Sequence, residues 1–380
     1  MKNSRLRLSV SALALSCCLV SCAAPQLGQG SSGLKVVATT TQICDYVTQI
    51  ASAAGGEGLE FTKTDSQGVT STHGSGEAAL ELTCLLAPNA SAHDHEMTPQ
   101  QMAALNRADL LLSNGVDLEN FLDQAVASSG FEGTKLITSG HQEGTSEKEK
   151  YTVDHGSKKV EVAPWPFDGE DGAPPEFKYD PHVWTSPKNA TVQVENIGAA
   201  LQQADSEHAE LWRERTAAYT KQLAELARWT SESMATVPQE DRILFTSHDA
   251  FGYLSHDFDI KFIGSALSDF NSQQDATNQH LQAGVQQVKE ARATSIFAEN
   301  SNSAKSIEAI GRAAGVRVIT GDEALYGDSL GPAGTDGETY VGSITHNITN
   351  LVSAWGGTAA PLPAALDGYA PKDTVEHAER

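Results

Sequence analysis

Residues 204–237, ADSEHAELWRERTAAYTKQLAELARWTSESMATV, hold no Pro and no Gly and set Leu211, Tyr219, Leu223 and Leu226 at helical spacing. This predicts one long amphipathic helix, which at about 1.5 Å per residue could run the length of two domains. The segments on either side share one grammar. Upstream, Leu34–Thr39 (LKVVAT) reads as a strand, followed by a helical segment through Ile43, Val47 and Ile50. A polar, Gly-rich insert, Gly55 to Gly76, leads to a strand at Leu80–Leu86. Thr98-Pro99-Gln100-Gln101 has the form of a capping box with Pro at the first helical position. The helix it opens delivers a strand at Asp109–Ser113, the turn Asn114-Gly115, a helix over Leu118–Ala127 and a strand at Lys135–Ile137. From Ser139 to Lys178 the pattern dissolves into charged, Gly/Pro-rich loop, and a helix resumes after Pro187.

Downstream the alternation repeats. Strands are expected at Ile243–Ser247, Lys261–Gly264, Ser295–Ala298 and Val316–Thr320. Between and after them come helices at Ala250–Leu254, Gln273–Ala291, Ser303–Ala314 (stopped by Gly315) and Glu338–Trp355. Such alternation means βαβ units and parallel sheets. The expected fold is therefore α/β: two lobes with parallel sheets flanked by helices, joined by one long rigid helix. The boundaries read as an N-terminal lobe at 34–203, the linking helix at 204–237, a C-terminal lobe at 238–357 and a frayed, Pro-rich tail at 358–380.

The chain of 380 residues, at about 150 per domain, suits roughly two domains. Lys+Arg of 26 against Asp+Glu of 49 leaves a net charge of −23, which removes the electrostatic basis for binding nucleic acid. Lys2, Arg5 and Arg7 precede a short apolar run, Leu8 to Val20, so residues 1–21 read as a secretory signal peptide. The run ends Leu19-Val20-Ser21-Cys22, which resembles a bacterial lipobox with Cys22 as the lipidated first residue of the mature chain. An ordinary cleavage site beside a chance cysteine is the alternative. Residues 22–33 then form the modified cysteine and a flexible tether. The expected location is extracytoplasmic, held to the bacterial cell membrane by a lipid anchor only. Cys44 and Cys84 remain in an oxidising compartment, each near one end of the first two strands; they either pair or stay two free buried thiols.

Twelve histidines raise the question of which ones cluster. In open α/β sheets, ligands gather beyond the carboxyl ends of the strands. His93 follows the strand ending at Leu86, His248 follows ILFTS, and Asp328 lies beyond the strand at Val316–Thr320. His182 opens the helical region after the long loop. Two of the four come from each half, aimed at one cleft between the lobes. Three neutral imidazoles and a carboxylate suit a first-row divalent cation, with Zn²⁺ expected and Mn²⁺ the alternative. Four protein ligands with no open position suit holding a metal, not activating a water. Because the imidazoles must be deprotonated, affinity is expected to fall below about pH 6 to 6.5.

At this point the chain resembles a family, the cluster A-I metal-binding lipoproteins, which are solute-binding subunits of bacterial zinc and manganese ABC transporters. The resemblance covers nearly everything from Leu34 to Trp355. It is carried by Asp180-Pro181-His182-Val183-Trp184, SHDAFGYL (Ser247 to Leu254), LYGDSLG (Leu325 to Gly331), ETYVGSITHNI (Glu338 to Ile348) and NGVDLENFL (Asn114 to Leu122). It implies His182, His248 and Asp328 as ligands. The first ligand lies where the chain departs from the family's Asp-Pro-His, any residue, aromatic, Glu-Pro: here Ser91-Ala92-His93-Asp94-His95-Glu96-Met97. His93 takes the ligand position and His95 the aromatic one, so His95 is a rival. His in place of Glu at 248 leans towards zinc, although members with this ligand set take either metal.

Other residues have plainer readings. Asp180 caps and orients the loop around His182, and could steer its imidazole. His256 reads as surface, and His346 with Asn347 as a hydrogen-bonding pair inside the last helix. Asp322 and Glu323 compete with Asp328 but lack the motif. His141 and His155 sit in an acidic loop that reads as a solvated linker, with metal collection as the alternative; His73 has no counterpart in the family. The resemblance implies a monomeric binding protein, not an enzyme, that passes its metal to a permease driven by a cytoplasmic ATPase. A host-surface adhesin role could coexist with transport. A secreted zinc hydrolase is the reading from another class, and it lacks the H-E-x-x-H helix motif.

Overall fold

The computed structural model describes residues 33–93, 95–141, 150–165, 177–267 and 277–376. The proposed signal peptide, Cys22 and most of the tether lie outside the described residues. At the centre of the N-terminal half is β1 (Leu34–Ala38), paired in parallel with β3 (Thr70–Cys84) on one side and β4 (Leu110–Ser113) on the other. All four residues of β4 are buried, which suits a strand covered on both faces. The sheet continues in parallel through β5 (Thr134–Ile137) to β6 (Thr152–Asp154). On the other side of β3 lies β2 (Glu57–Thr64), antiparallel to the first half of β3, and the strand order is β2-β3-β1-β4-β5-β6. Helices α1 (Thr41–Ser52), α2 (Pro99–Asn106) and α3 (Leu122–Ser129) connect the strands.

Two expectations are corrected here. The insert at 55–76 forms β2 and the exposed first half of β3, so the sheet is mixed at this edge. Thr62 faces both Thr72 and Glu81, because β3 lies on both sides of β2. Threonine hydroxyl pairs (Thr62 with Thr72 at 2.9 Å, Thr64 with Thr70 at 3.1 Å) join strands that bury little. Gly76 allows the close approach, since a Cβ there would stand 2.0 Å from the Gly58 carbonyl carbon. Likewise β6 forms inside the segment read as continuous loop.

The C-terminal sheet is parallel throughout, in the order β10-β9-β7-β8: Arg317–Ile319, Ser295–Phe297, Ile243–Thr246 and Lys261–Ser265. Phe245 and Ile296 pack one face against α7 (Asn278–Ala291) and α8 (Lys305–Ala314). Gly315 ends α8 at φ 76°, the left-handed conformation that favours glycine. Leu244, Phe297 and Ile319 join the larger core, which also takes in the N-terminal half. The short α6 (Gly252–Asp257) follows β7, and α9 (Tyr340–Ala354) closes the half.

Between the halves run α4 (Pro187–Ala204) and α5 (Ala209–Met234), packed along each other. The long helix begins five residues later than its pattern suggests. Asp205 takes φ −123° and ψ 70°, and its carboxylate accepts from Trp212 Nε1 (2.9 Å) and meets His208 Nδ1 (2.9 Å). A side chain that satisfies local donors in this way competes with the helix, without Pro or Gly. Helix α5 packs against α1 from one half and α9 from the other, burying Trp212, Tyr219, Leu223, Leu226 and Trp229. Buried Arg215 donates to the carbonyls of Ala51 and Glu57, fixing the turn between α1 and β2.

The tail is not frayed where it is described. Leu366 is fully buried, Trp229 Nε1 donates to the Ala360 carbonyl (2.8 Å), and the Val375 amide donates to Asn350 Oδ1 (2.8 Å). These contacts bind the segment to α5 and α9. Cys44 and Cys84 form a disulfide between α1 and the end of β3. Among the described residues, no helix is long and apolar enough to cross a membrane.

Candidate metal centre

The centre is built on strand ends tied together by side chains. Glu119 accepts from the Thr39 hydroxyl (2.6 Å) and the Asn114 amide (2.7 Å), joining the ends of β1 and β4. Asn114 Nδ2 in turn donates to the Pro181 carbonyl (2.9 Å), which carries the floor to the loop of His182. Trp184 Nε1 donates to the Gly327 carbonyl (3.0 Å) and Tyr340 Oη to the Trp184 carbonyl (2.8 Å), so this loop leans on the C-terminal half. The loop of Asp328 is held from the other direction. Gln42 Nε2 of α1 donates to the Asp328 carbonyl (3.0 Å), and the Leu330 amide to Thr41 Oγ1 (2.9 Å).

These constraints bring His93, His182, His248 and Asp328 together, one candidate ligand atom from each within 4.8 Å of the others. His93 Nε2 lies 3.2 Å from His182 Nε2. Asp328 Oδ1 lies 3.4 Å from His182 Nε2 and 3.6 Å from His248 Nδ1. His182 is fully buried, and His248 and Asp328 are each 3% exposed. Phe177 and Trp165 stand beside the imidazoles, with ring centroids 5.7 Å from His93 and 6.2 Å from His182. Such an apolar wall limits solvent access.

Charge and burial work against each other here. Burial holds the His93 imidazole down, to about 3. Burial also opposes charge on His182, but the Asp180 and Asp328 carboxylates outweigh it and lift this group to about 9. His248 is raised to about 10 in the same way, by Asp328 and Glu299 against burial. Burial alone would raise the Asp328 carboxyl, yet the surrounding imidazoles hold it well below the usual carboxylate range. A buried anion ringed by protonatable nitrogens is a cation site in which protons compete with metal.

Asp180 takes the orienting role expected of it. Its Oδ1 accepts from the His182 amide (2.9 Å) and meets His182 Nδ1 (2.7 Å). A proton on Nδ1 leaves the Nε2 lone pair facing the cluster. Asp180→Asn is therefore expected to weaken metal binding about 10- to 100-fold with the fold retained, as chelator competition would measure. An unchanged affinity would remove Asp180 from this role.

His95 does not join the cluster; its ring stacks edge-on against Phe121, with centroids 4.9 Å apart. His256 is exposed, and His346 bonds inside the fold, with Nε2 at 3.0 Å from the Ala324 carbonyl. Sequence reasoning missed Glu299. It lies two residues past the end of β9, accepts from the His248 amide (2.8 Å) and sets its second oxygen 3.7 Å from His248 Nδ1. Gly327 makes room for it: a Cβ there would stand 2.1 Å from Glu299 Oε2. The strand-end rule that found His248 applies equally to Glu299.

Comparison with known proteins agrees with this arrangement. The family model for ZnuA, described as zinc-uptake complex component A periplasmic, matches residues 36–354. The chain is 27% identical over 310 residues to the manganese-binding lipoprotein MntA of Bacillus subtilis, covering 81% of this chain and 93% of that one. It is 23% identical over 261 residues to the metal ABC transporter substrate-binding lipoprotein SloC of Streptococcus mutans, covering 69% and 78%. Among solved structures, the periplasmic zinc binding protein TroA from Treponema pallidum superposes with a TM-score of 0.64 at 25% identity, over 85% of this chain and 99% of that one. With the matched span running from β1 to the last residue of α9, the chain belongs to the ZnuA family of metal-uptake components and is a binding protein of an ABC transport system, not an enzyme.

Proposed function

We propose that the chain captures one divalent transition-metal ion, zinc first, outside the cytoplasm and delivers it to an ABC permease for import. One observation carries this reading: His93 and His182 from one half meet His248 and Asp328 from the other with their ligand atoms within 4.8 Å. Three imidazoles and one carboxylate fit the four-coordinate preference of zinc. Manganese is the second reading, favoured by the name of the Bacillus subtilis relative. The signal peptide and a lipid on Cys22 would hold the protein outside the cytoplasm, anchored to the cell membrane, and the monomer is the expected form. A core shared by both halves, with α5 laid across them, supports small loop adjustments on loading in place of wide hinge opening.

The test is elemental analysis of the purified mature chain, followed by competitive zinc and manganese titration at pH 6 and pH 8. One zinc per chain is expected, bound more tightly at pH 8. The sign follows from His182 and His248, raised to about 9 and about 10: both bind protons across this range, and each proton must leave as metal enters. The carboxylates thus move the window of proton competition above the pH 6 to 6.5 expected for ordinary imidazoles. A chain that binds neither metal, or a chelator-sensitive hydrolytic turnover, would overturn the assignment.

A further inference from the structure

Ser91 stands two residues before His93. The Ser91 side chain is buried and fully engaged. Its Oγ accepts from the His93 amide (3.3 Å) and donates its single proton to Asp328 Oδ2 (2.7 Å). The two oxygens of Asp328 are therefore unequal. Oδ1 faces His182 Nε2 (3.4 Å) and His248 Nδ1 (3.6 Å), while Oδ2, 3.9 Å from His93 Nε2, is held by the hydroxyl.

We infer that Ser91 is a specificity-determining residue of the centre: by holding Asp328 Oδ2, it leaves one carboxylate oxygen for the cation and so favours four-coordinate zinc over manganese. The inference rests on the metal-binding reading above. The chemistry is a difference in coordination demand. Zinc is content with three nitrogens and one oxygen in a tetrahedron. Manganese gains from additional oxygens and a higher coordination number. A hydrogen bond to a carboxylate oxygen draws on its electron density and fixes the direction of the group, so a two-oxygen grip must weaken or reorient the bond from Ser91. That cost falls on manganese and not on zinc. Ser91 itself touches no cation; it acts through Asp328.

The experiment compares the full chain with Ser91→Ala, Ser91→Thr and Ser91→Cys, measuring zinc and manganese affinities by chelator competition. Loss of a hydrogen bond to a charged group predicts that Ser91→Ala narrows the zinc-to-manganese affinity ratio by roughly tenfold, chiefly through tighter manganese. Ser91→Thr keeps the hydroxyl and is expected to keep the wild-type ratio. Ser91→Cys, with a poor donor of similar shape, should move the ratio in the direction of alanine, and serves if the alanine variant does not fold. Cobalt(II) supplies a direct readout of geometry. The intense visible bands of a tetrahedral complex should weaken in Ser91→Ala as a fifth donor joins. If zinc and manganese change by one common factor, or the cobalt spectrum stays as in wild type, the inference is overturned. A wild-type chain that takes up zinc while the ratio ignores residue 91 sinks this inference alone; a wild-type chain that takes up neither metal sinks the functional assignment with it.

Discussion

His182→Ala is expected to lose about two to three orders of magnitude in zinc affinity. The scale follows from four-ligand sites worth roughly 10–16 kcal/mol, of which one ligand is about a quarter. The replacement removes a fully buried imidazole that lies 3.2 Å from His93 Nε2 and 3.4 Å from Asp328 Oδ1, so two neighbours lose a partner as well. The signature is a lost stabilisation. Zinc at about 100 times its Kd should stabilise the wild-type chain by about 2.7 kcal/mol and the variant, at the same concentration, by less than about 0.5 kcal/mol. Calorimetric unfolding with and without zinc reads this directly. A variant that still gains the wild-type stabilisation would show that the cation binds elsewhere.

The second large effect concerns Cys44 and Cys84. Their disulfide closes a segment of 40 residues, for which chain-entropy arguments give about 4 kcal/mol of stabilisation. The double substitution Cys44→Ser with Cys84→Ser should lower the unfolding free energy by that order in a denaturant titration, with both proteins otherwise treated alike. The bond also joins α1, whose first residues hold the Asp328 loop, to the strand that leads towards His93. A loss well under 1 kcal/mol would mean that the unfolded chain is already confined by other means.

Much of the fold is legible because local chemistry and burial agree. The capping box at Thr98 forms as read, with Gln101 Oε1 accepting from the Thr98 amide (2.9 Å), and Gly315 stops its helix. Strands such as LKVVA and LLLS are apolar because both faces are covered, and they announce themselves. The hairpin of β2 and β3 does not. The first eight residues of β3, from Thr70, are exposed, so no buried face imposes an alternating pattern, and threonine pairs and a glycine contact hold the strands instead. The tail escaped for a related reason: Leu366 and Val375 are anchors too far apart to make a period. Of the centre, the motifs pointed to His182, His248 and Asp328, and the strand-end position to His93. The choice of His93 over His95 depends on how a loop turns, which spacing alone does not specify. Asp205, which breaks the long helix, looks from sequence like any other polar position on its exposed side.

The four converging side chains come from distant parts of the chain; Ser91, beside His93, and the Asp328 it touches are 237 residues apart. An extended polypeptide therefore has no such pocket, and the pocket exists only once both halves have folded on each other. A precursor threaded through the export machinery unfolded would leave the cytosol without cargo. For a chain exported in that form, metallation would follow translocation, and the ion acquired would be set by what the outer compartment offers, not by the metal pools of the cell that made the protein.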